Sequence, residues 1–321
     1  MIYRPLGKSA LKVSALCLGT MNFGPRTSED ESRQIMSAAL EHGLNFFDTA
    51  NQYGGDKGVG ASEEIIGRWF REVPSRRDGI VLATKVYEPM SPDINDRGLS
   101  ARHIQTACEA SLRRLGVDHI DLYQMHHIDR LAPPEEIWQA MDRLISQGKI
   151  TYVGSSNFPG WKLAQMNERA GARHSLGLVS EQGLYNLLER RTELEVLPAC
   201  REYGIGLIAW SPLAGGLLAG RAKGAAGRRS SESARTAART HQNALDLFER
   251  LCSEAGLAPG LVALSWLLSQ EGLTSAIIGP GTKDQLINVL QAPEIRLDTE
   301  LLVQLDAIFP PCGPAPEAYA W

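Results

Sequence analysis

The sequence predicts a closed (β/α)₈ barrel, the TIM-barrel fold, and three observations support this class. The chain has 321 residues, enough for such a barrel as one domain. Eight short β-type runs alternate with helical patterns along it. The runs are apolar on successive residues, as expected of a parallel sheet buried on both faces. Because parallel crossovers are right-handed, eight such units favour a closed barrel over an open doubly wound sheet.

The predicted strands are followed by segments with helix start and stop signals. Ser28 with Glu31 forms a capping box, Ser100 caps the run that follows it, and Thr192 caps the run to Tyr203. Glycines that suit helix ends are Gly43, Gly116, Gly148 and Gly204. The predicted strands cover residues 15–20, 45–50, 79–86, 119–126, 151–158, 176–182, 206–211 and 275–279.

Three segments lie outside the repeat. Residues 2–13 predict an N-terminal β-hairpin that closes the bottom of the barrel. Residues 214–240, rich in Gly, Ala, Arg and Ser, predict a long mobile loop after the seventh strand. A C-terminal helix and an irregular tail follow Asp298. No boundary interrupts the alternation, so residues 1–321 are predicted to form one domain.

Charge and cysteine content narrow the classes of function. The 33 basic and 37 acidic residues leave a net charge of -4, so we expect no nucleic-acid partner. The five cysteines are odd in number and form no C-x-x-C pair, which favours reduced cytoplasmic thiols over disulfides or a metal site. The N-terminus lacks a secretory pattern, and no run approaches the roughly 18 apolar residues of a membrane span. We therefore expect a cytoplasmic protein with no membrane partner.

Polar residues at the strand ends form a candidate site, because barrel enzymes carry their chemistry at the carboxyl ends of the strands. Asp48 and Lys85 end neighbouring strands and should neutralise one another. A structural ion pair is an equally good interpretation of these two residues alone. Tyr53 and His126 favour a functional site over a structural ion pair. An ammonium beside a phenol, whose ordinary pKa is about 10, favours the phenolate, and a histidine can hold a substrate oxygen over it.

Sequence blocks in register along nearly the whole chain resemble the aldo-keto reductases. The N-terminal block is Y-R-P-L-G-K-S-A-L-K-V-S-A-L-C-L-G-T-M-N-F-G, followed by D-T-A-N-Q-Y, G-A-S-E-E-I-I-G, A-T-K-V and D-L-Y-Q-M-H. The later blocks are V-G-S-S-N-F, E-Q-G-L-Y-N-L-L, A-W-S-P-L-A-G-G-L-L and I-I-G-P-G-T-K-D-Q-L. Any one block is a weak signal, whereas the ordered set is specific.

The resemblance implies a catalytic set of four residues. Tyr53 would be the general acid that protonates a carbonyl oxygen, Lys85 with Asp48 would tune it, and His126 would orient the carbonyl. Asp48 is also counted with the nicotinamide-cofactor site, where Ser156, Asn157 and Gln182 would hold the carboxamide and Trp210 would stack on the ring. The remaining residues implied for cofactor binding are Gly19, Thr20, Met21, Ser211, Pro212, Leu213, Gly216, Arg221, Gly279, Gly281, Thr282, Lys283, Gln285 and Asn288.

NADP(H) is the expected cofactor, with NAD(H) as the open alternative. The dinucleotide fingerprint of open α/β sheets is missing, since G-V-G-A-S-E at 58–63 lacks its third glycine. Many relatives carry a base near Gly281 or Thr282 for the 2′-phosphate, and here the nearest is Lys283. Asn288 stands where a carboxylate often binds the adenine amino group. Cations that could compensate are Arg221, Lys223, Arg228 and Arg229.

Three functions remain open from the sequence. The first is reversible reduction of aldehydes or ketones, with a small-molecule carbonyl or alcohol as partner, in a monomer or small homo-oligomer. The second is a nicotinamide redox-sensing subunit like the potassium-channel beta subunits of this family. The third is Schiff-base chemistry on Lys85. The substrate is not identified, and its candidate contacts are Asn22, Phe23, His127 and the loop 87–97.

Overall fold

Eight parallel strands close into a barrel in the computed structural model, which describes residues 1–220 and 232–315. The predicted fold class is therefore confirmed. The strands are β1 Tyr3–Pro5, β2 Lys12–Ser14, β3 Leu16–Gly19, β4 Phe46–Asp48, β5 Val81–Val86, β6 Ile120–Met125, β7 Ile150–Ser156, β8 Leu178–Leu184, β9 Gly206–Trp210 and β10 Leu273–Ile278. Strands β3 to β10 pair in sequence order, and β10 closes the ring against β3. The antiparallel pair of β1 and β2 is the predicted hairpin.

Helices cover the outside of the barrel and follow the strands as predicted. They are α1 Glu29–Glu41, α2 Ala61–Glu72, α3 Ala101–Leu115, α4 Pro134–Ser146, α5 Gly160–Gly171, α6 Val196–Glu202, α7 Glu232–Thr240, α8 Gln242–Glu254, α9 Pro259–Leu268, α10 Lys283–Ile287 and α11 Thr299–Ile308. In the part of the chain that is described, no single helix is long and apolar enough to cross a membrane. Only α8 and α9 together meet that test by length and composition, and a bend of 94° separates them.

Two of the three predicted helix starts are present. Ser28 Oγ accepts from the Glu31 N–H, and Ser100 caps α3. The Glu31 carboxylate accepts from the Lys283 N–H and so links α1 to α10. The cap at Thr192 is wrong: its hydroxyl donates to the carbonyl of Leu184, because β8 runs two residues beyond its predicted end. Helix α6 begins only at Val196.

The N-terminal hairpin fills the bottom of the barrel. Leu6 and Val13 join the apolar cluster inside the barrel, which includes residues near the beginnings of several strands. The Arg4 guanidinium donates to the carbonyls of Leu268 and Leu273, each at 2.8 Å. Gly7 has φ +55°, and a Cβ there would lie 2.2 Å from the Val179 carbonyl oxygen. Only glycine allows the turn to come this close to the barrel.

The predicted long loop is partly helical. Within 214–240, Ala214–Ala219 contains short 3₁₀ turns interrupted by non-helical angles at Gly215 and Gly216. Because Glu232–Thr240 forms α7, a loop that continues to residue 240 is wrong. The sequence of α7 contains three alanines and two arginines, which favour helix more than the composition of the range suggested. The expected helix after Asp298 is α11, with Asp298 as its cap. Residues 221–231 and 316–321, and the expectations placed on them, lie outside the described residues.

Candidate active site

Asp48 and Lys85 lie side by side at the carboxyl ends of β4 and β5. Lys85 Nζ donates to Asp48 Oδ2 at 2.6 Å and to the Thr49 carbonyl at 2.9 Å. Lys85 is wholly buried. Burial alone would lower the pKa of Lys85, but Asp48 and Tyr53 outweigh it, and the net effect raises this pKa. The lysine is therefore held as an ammonium ion.

Tyr53 folds back onto this pair from the turn between β4 and α2. Its N–H donates to the Ala50 carbonyl at 3.1 Å, and its own carbonyl accepts from the Ser62 N–H at 3.1 Å. Tyr53 Oη lies 3.2 Å from Lys85 Nζ. The turn therefore brings the phenol to the ammonium, as the sequence predicted.

His126 lies against the edge of the Tyr53 ring. The two ring centroids are 5.8 Å apart at 77°. Burial, followed by the charge of Lys85 and by His127, lowers the pKa of His126 to about 2. The imidazole is therefore neutral and carries one N–H. Its Nδ1 atom is buried without a hydrogen-bond partner among the described residues.

The His127 ring, a candidate substrate contact, lies beside that of His126. Because β6 ends at Met125, both histidines lie beyond the pleated strand. Their rings stack with centroids 4.9 Å apart and planes 10° apart, and His127 Nε2 lies 3.0 Å from Glu88 Oε1. Candidate metal-ligand atoms of Glu88, His126 and His127 lie within 4.8 Å of one another. Lone pairs of stacked imidazoles lie in separate planes, so the rings as placed do not converge on one ion.

Two glutamines hold the other oxygen of Asp48. The Nε2 atoms of Gln124 and Gln182 donate to Asp48 Oδ1 at 3.0 and 2.9 Å. Gln182 was expected to hold the cofactor's carboxamide, and in this structure its side chain contacts Asp48. The sequence analysis assigned no role to Gln124. Its contact was not foreseen, because it depends on side chains that meet across the barrel interior.

The residues expected at the nicotinamide end lie together at the ends of β7, β8 and β9. Ser156 Oγ donates to the Gln182 carbonyl at 2.9 Å. Asn157 Nδ2 donates to the His126 carbonyl at 3.1 Å, and Trp210 Nε1 donates to Asn157 Oδ1 at 3.1 Å. Asn157 has φ +59°, an uncommon value for a residue other than glycine. The cluster therefore places amide and aromatic groups beside His126.

Glu181 supports this cluster from below and was missed in the sequence. Its carboxyl group accepts from Ser155 Oγ at 2.5 Å and from the Phe158 N–H at 2.9 Å. Burial raises the pKa of Glu181 to about 8 against these hydrogen bonds. The available signal was an acid directly before Gln182 in a buried strand.

The turn after β9 contains Ser211, Pro212, Leu213 and Gly216, which the resemblance implied for cofactor binding. Positive φ angles occur at Ser211, Ala214, Gly215 and Gly216. A Cβ on Gly215 would meet no atom within 4 Å, so the turn borders open space. Turns of this type can direct successive N–H groups at an anion. Pro212 is buried and Leu213 half-buried within the same turn, and Arg221 lies outside the described residues.

The segment expected at the adenosine end begins α10. Thr282 Oγ1 caps the helix by accepting from the Gln285 N–H, and Gln285 Oε1 accepts from the Gly281 N–H at 2.8 Å. The side chain of Lys283 is exposed, and Asn288 is exposed at the end of the helix. Gly279 is linked to the top of the first barrel strand, since its carbonyl accepts from Asn22 Nδ2 at 3.0 Å. These residues are close together, while their ligand remains an expectation.

Residues after β3 lie next to Asp48. A Cβ on Gly19 would lie 2.5 Å from Ile277 Cγ2, so close packing already explains this glycine. Thr20 is buried and its hydroxyl donates to the Asp48 carbonyl at 3.1 Å, whereas Met21 is half-buried. Phe23 is wholly buried in the core, so its expected place in an open substrate pocket is wrong.

Comparison with known proteins agrees with this geometry. The model of the Aldo/keto reductase family matches residues 15–309. An uncharacterised oxidoreductase of Bacillus subtilis (strain 168) is 52% identical, with 100% of each chain covered. A protein of Arabidopsis thaliana named "Probable voltage-gated potassium channel subunit beta" is 34% identical over 99% of this chain and 100% of its own. The versiconal hemiacetal acetate reductase of Aspergillus parasiticus is 31% identical over 97% and 98%. The chain belongs to the aldo/keto reductase family.

Proposed function

We propose that this protein reduces aldehydes or ketones to alcohols, reversibly, with a reduced nicotinamide dinucleotide. The observation that carries the proposal is the contact of Lys85 Nζ with both Asp48 Oδ2 and Tyr53 Oη at the carboxyl end of the barrel. A structural ion pair needs no phenol at that distance. Family membership and the oxidoreductase relatives support the same reaction class.

Tyr53 is the proton donor in this proposal. The Lys85 ammonium favours the phenolate over the phenol, so the proton leaves Tyr53 more readily than from a tyrosine in water. The contact with Asp48 keeps the ammonium charged and within 3.2 Å of the phenol oxygen. In the reverse direction, the phenolate accepts the proton of the alcohol.

His126 orients the substrate oxygen. Because the imidazole is neutral, its single N–H can donate to a carbonyl oxygen without adding a second full charge beside Lys85. The ring lies against Tyr53, with the two ring centroids 5.8 Å apart, so one substrate oxygen can approach both groups. The pair therefore acts as a two-point clamp on the carbonyl.

The chain's residues fit a nicotinamide dinucleotide. Asn157 and Trp210 lie together beside His126, and the open space at Gly215 leaves room for a phosphate group. When bound, the cofactor supplies the hydride. NADP(H) is our preferred form and NAD(H) the alternative. The exposed side chain of Lys283 is a cation suited to the 2′-phosphate of NADP(H). The Glu31 carboxylate, which accepts a hydrogen bond from the Lys283 N–H, would repel that phosphate.

The test is Tyr53→Phe, assayed by carbonyl-dependent loss of reduced-cofactor absorbance. We expect the rate to fall by at least about 100-fold, the lower end of general acid catalysis. The control is Tyr3→Phe, which removes a phenol hydroxyl bonded to the Gly43 carbonyl at the other end of the barrel. Near-full activity of Tyr53→Phe would exclude the proposed role. Parallel assays with NADPH and NADH would determine the preferred cofactor.

A second candidate is a redox-sensing subunit with slow turnover. It is favoured by the relatives from Arabidopsis and rice that carry potassium-channel beta-subunit names. Slow turnover with cofactor that stays bound through gel filtration would support this alternative. Fast turnover with freely exchanging cofactor would exclude it.

Schiff-base chemistry on Lys85 fits the site less well. A Schiff base requires the neutral amine, whereas Asp48 and Tyr53 raise the pKa of Lys85. Borohydride in the presence of a carbonyl compound should therefore leave Lys85 unmodified, as mass spectrometry would show.

A further inference from the structure

The Asp48 carboxylate has different partners on its two oxygens. Oδ2 accepts from Lys85, while Oδ1 accepts from the side-chain amides of Gln124 and Gln182. The two amides also contact each other, since Gln182 Nε2 lies 3.3 Å from Gln124 Oε1. Asp48, Gln124 and Gln182 are all buried. The network therefore lies out of solvent, where hydrogen bonds to a carboxylate are strong.

The barrel interior leaves space for the side chain of Gln124. Gln124 pairs in register with Lys85 on one side and with Gly154 on the other. A Cβ at Gly154 would lie 3.2 Å from Gln124 Cγ. The same strand face carries Leu122 lower in the barrel, where it belongs to the apolar cluster. An amide at position 124 thus lies above the apolar cluster, in register with Lys85.

We propose that Gln124 is a positioning residue that directs the Asp48 carboxylate, and through it the Lys85 ammonium, toward Tyr53. The inference rests on the proposed function of Tyr53 as the proton donor. With Oδ1 held by amide donors, Oδ2 alone faces Lys85, and Nζ keeps a donor for the phenol oxygen. Without Gln124, Oδ1 keeps only the Gln182 donor, so the carboxylate turns more readily toward Nζ and draws the ammonium away from Tyr53.

A substitution at Gln124 tests the positioning of Asp48 more directly than a substitution at Gln182. The side chain of Gln182 is itself expected to hold the cofactor's carboxamide, so a substitution there would also alter the expected cofactor site. Among the described residues, the side-chain amide of Gln124 forms hydrogen bonds with Asp48 and Gln182. A change at Gln124 acts on the proton donor through Asp48.

The expected signature is a shift in the pH profile. When the ammonium moves away, the phenolate is less stabilised, so Tyr53 holds its proton to higher pH. The alkaline limb of carbonyl reduction and the acid limb of alcohol oxidation should both move upward. A merely structural defect would lower activity at every pH and leave both limbs in place.

The test compares wild type with Gln124→Met, which keeps the length of the side chain and removes its amide. We expect kcat for reduction to fall by about 10-fold to 100-fold and both limbs to rise by about one pH unit. Gln124→Leu, which also lacks the amide and adds no charge, should shift both limbs in the same direction, and it decides the question if Gln124→Met does not fold. The matched control is Tyr123→Phe, on the opposite face of β6, which removes the hydrogen bond to the Ile104 carbonyl and should leave the limbs unchanged.

The Tyr53→Phe variant distinguishes failure of the positioning role of Gln124 from failure of the proposed function. If Tyr53→Phe is inactive and the folded Gln124 variants keep the wild-type limbs, the positioning role of Gln124 is wrong and the proton donor stands. If Tyr53→Phe retains its activity, both the proposed function and the positioning role are overturned.

Discussion

Removing the Lys85 charge should destabilise the protein as well as inactivate it. Lys85→Met keeps an unbranched side chain of similar length but leaves Asp48 without its cation. The Lys85 side chain is 0% exposed and that of Asp48 is 4% exposed, so water cannot replace the ammonium without entering the barrel. The substitution therefore leaves an uncompensated carboxylate in the core.

The magnitude follows from the partners that Asp48 retains. Breaking a buried ion pair by removing one partner costs about 3–5 kcal/mol. Asp48 keeps the two amide donors on Oδ1, so we expect the lower end, about 3 kcal/mol. At about 2 °C per kcal/mol for a large domain, this cost corresponds to a Tm lower by about 6 °C.

A double-mutant cycle is the assay. Thermal unfolding is measured for wild type, Lys85→Met, Asp48→Asn and the double variant, because a pair that acts as a unit shows a coupling energy. The double variant removes both charges. Its loss of stability should therefore be smaller than the sum of the losses of the two single variants. Additive losses, or a Tm for Lys85→Met within about 2 °C of wild type, would refute the reasoning.

Two further predictions concern the support of the site and the barrel bottom. Because burial raises the pKa of Glu181 from 4.5 to about 8, the folded state holds this proton more tightly than the unfolded state, and the resulting stability is present below about pH 4.5 and lost as the pH rises toward 8. Tm measured from pH 5 to 8 should therefore fall less for Glu181→Gln than for wild type, and parallel curves would contradict the assignment. Gly7→Ala should cost at least about 2 kcal/mol more than Gly148→Ala, because both glycines have positive φ but only Gly7 faces a carbonyl oxygen at 2.2 Å from its missing Cβ. Equal urea midpoints for the two variants would show that the hairpin turn can move away.

The strand ends could be predicted because they depend on order along the chain. Asp48, Lys85 and His126 follow successive apolar runs, and parallel strands place such ends on one face. The fold class follows from the same alternation. Errors arose where one or two residues decide the outcome. Thr192 does not cap a helix because β8 is longer than expected.

The amide contacts and the buried acid could not be predicted in the same way. Whether Gln124 points at Asp48 depends on space left by Gly154 on the next strand, which a linear pattern does not contain. The raised pKa of Glu181 depends on complete burial against only a few donors. Both properties arise from three-dimensional packing among strands that are far apart in the sequence.

The N-terminal hairpin limits the route by which Tyr53 regains a proton in the proposed reaction. Leu6 and Val13 fill the lower end of the barrel with apolar side chains, and the Lys85 side chain has no exposed surface. In the proposed reaction, a proton lost from Tyr53 therefore cannot be replaced from below. It has to return through the mouth by which the substrate enters, so a bound substrate would also close the route of reprotonation until the alcohol leaves.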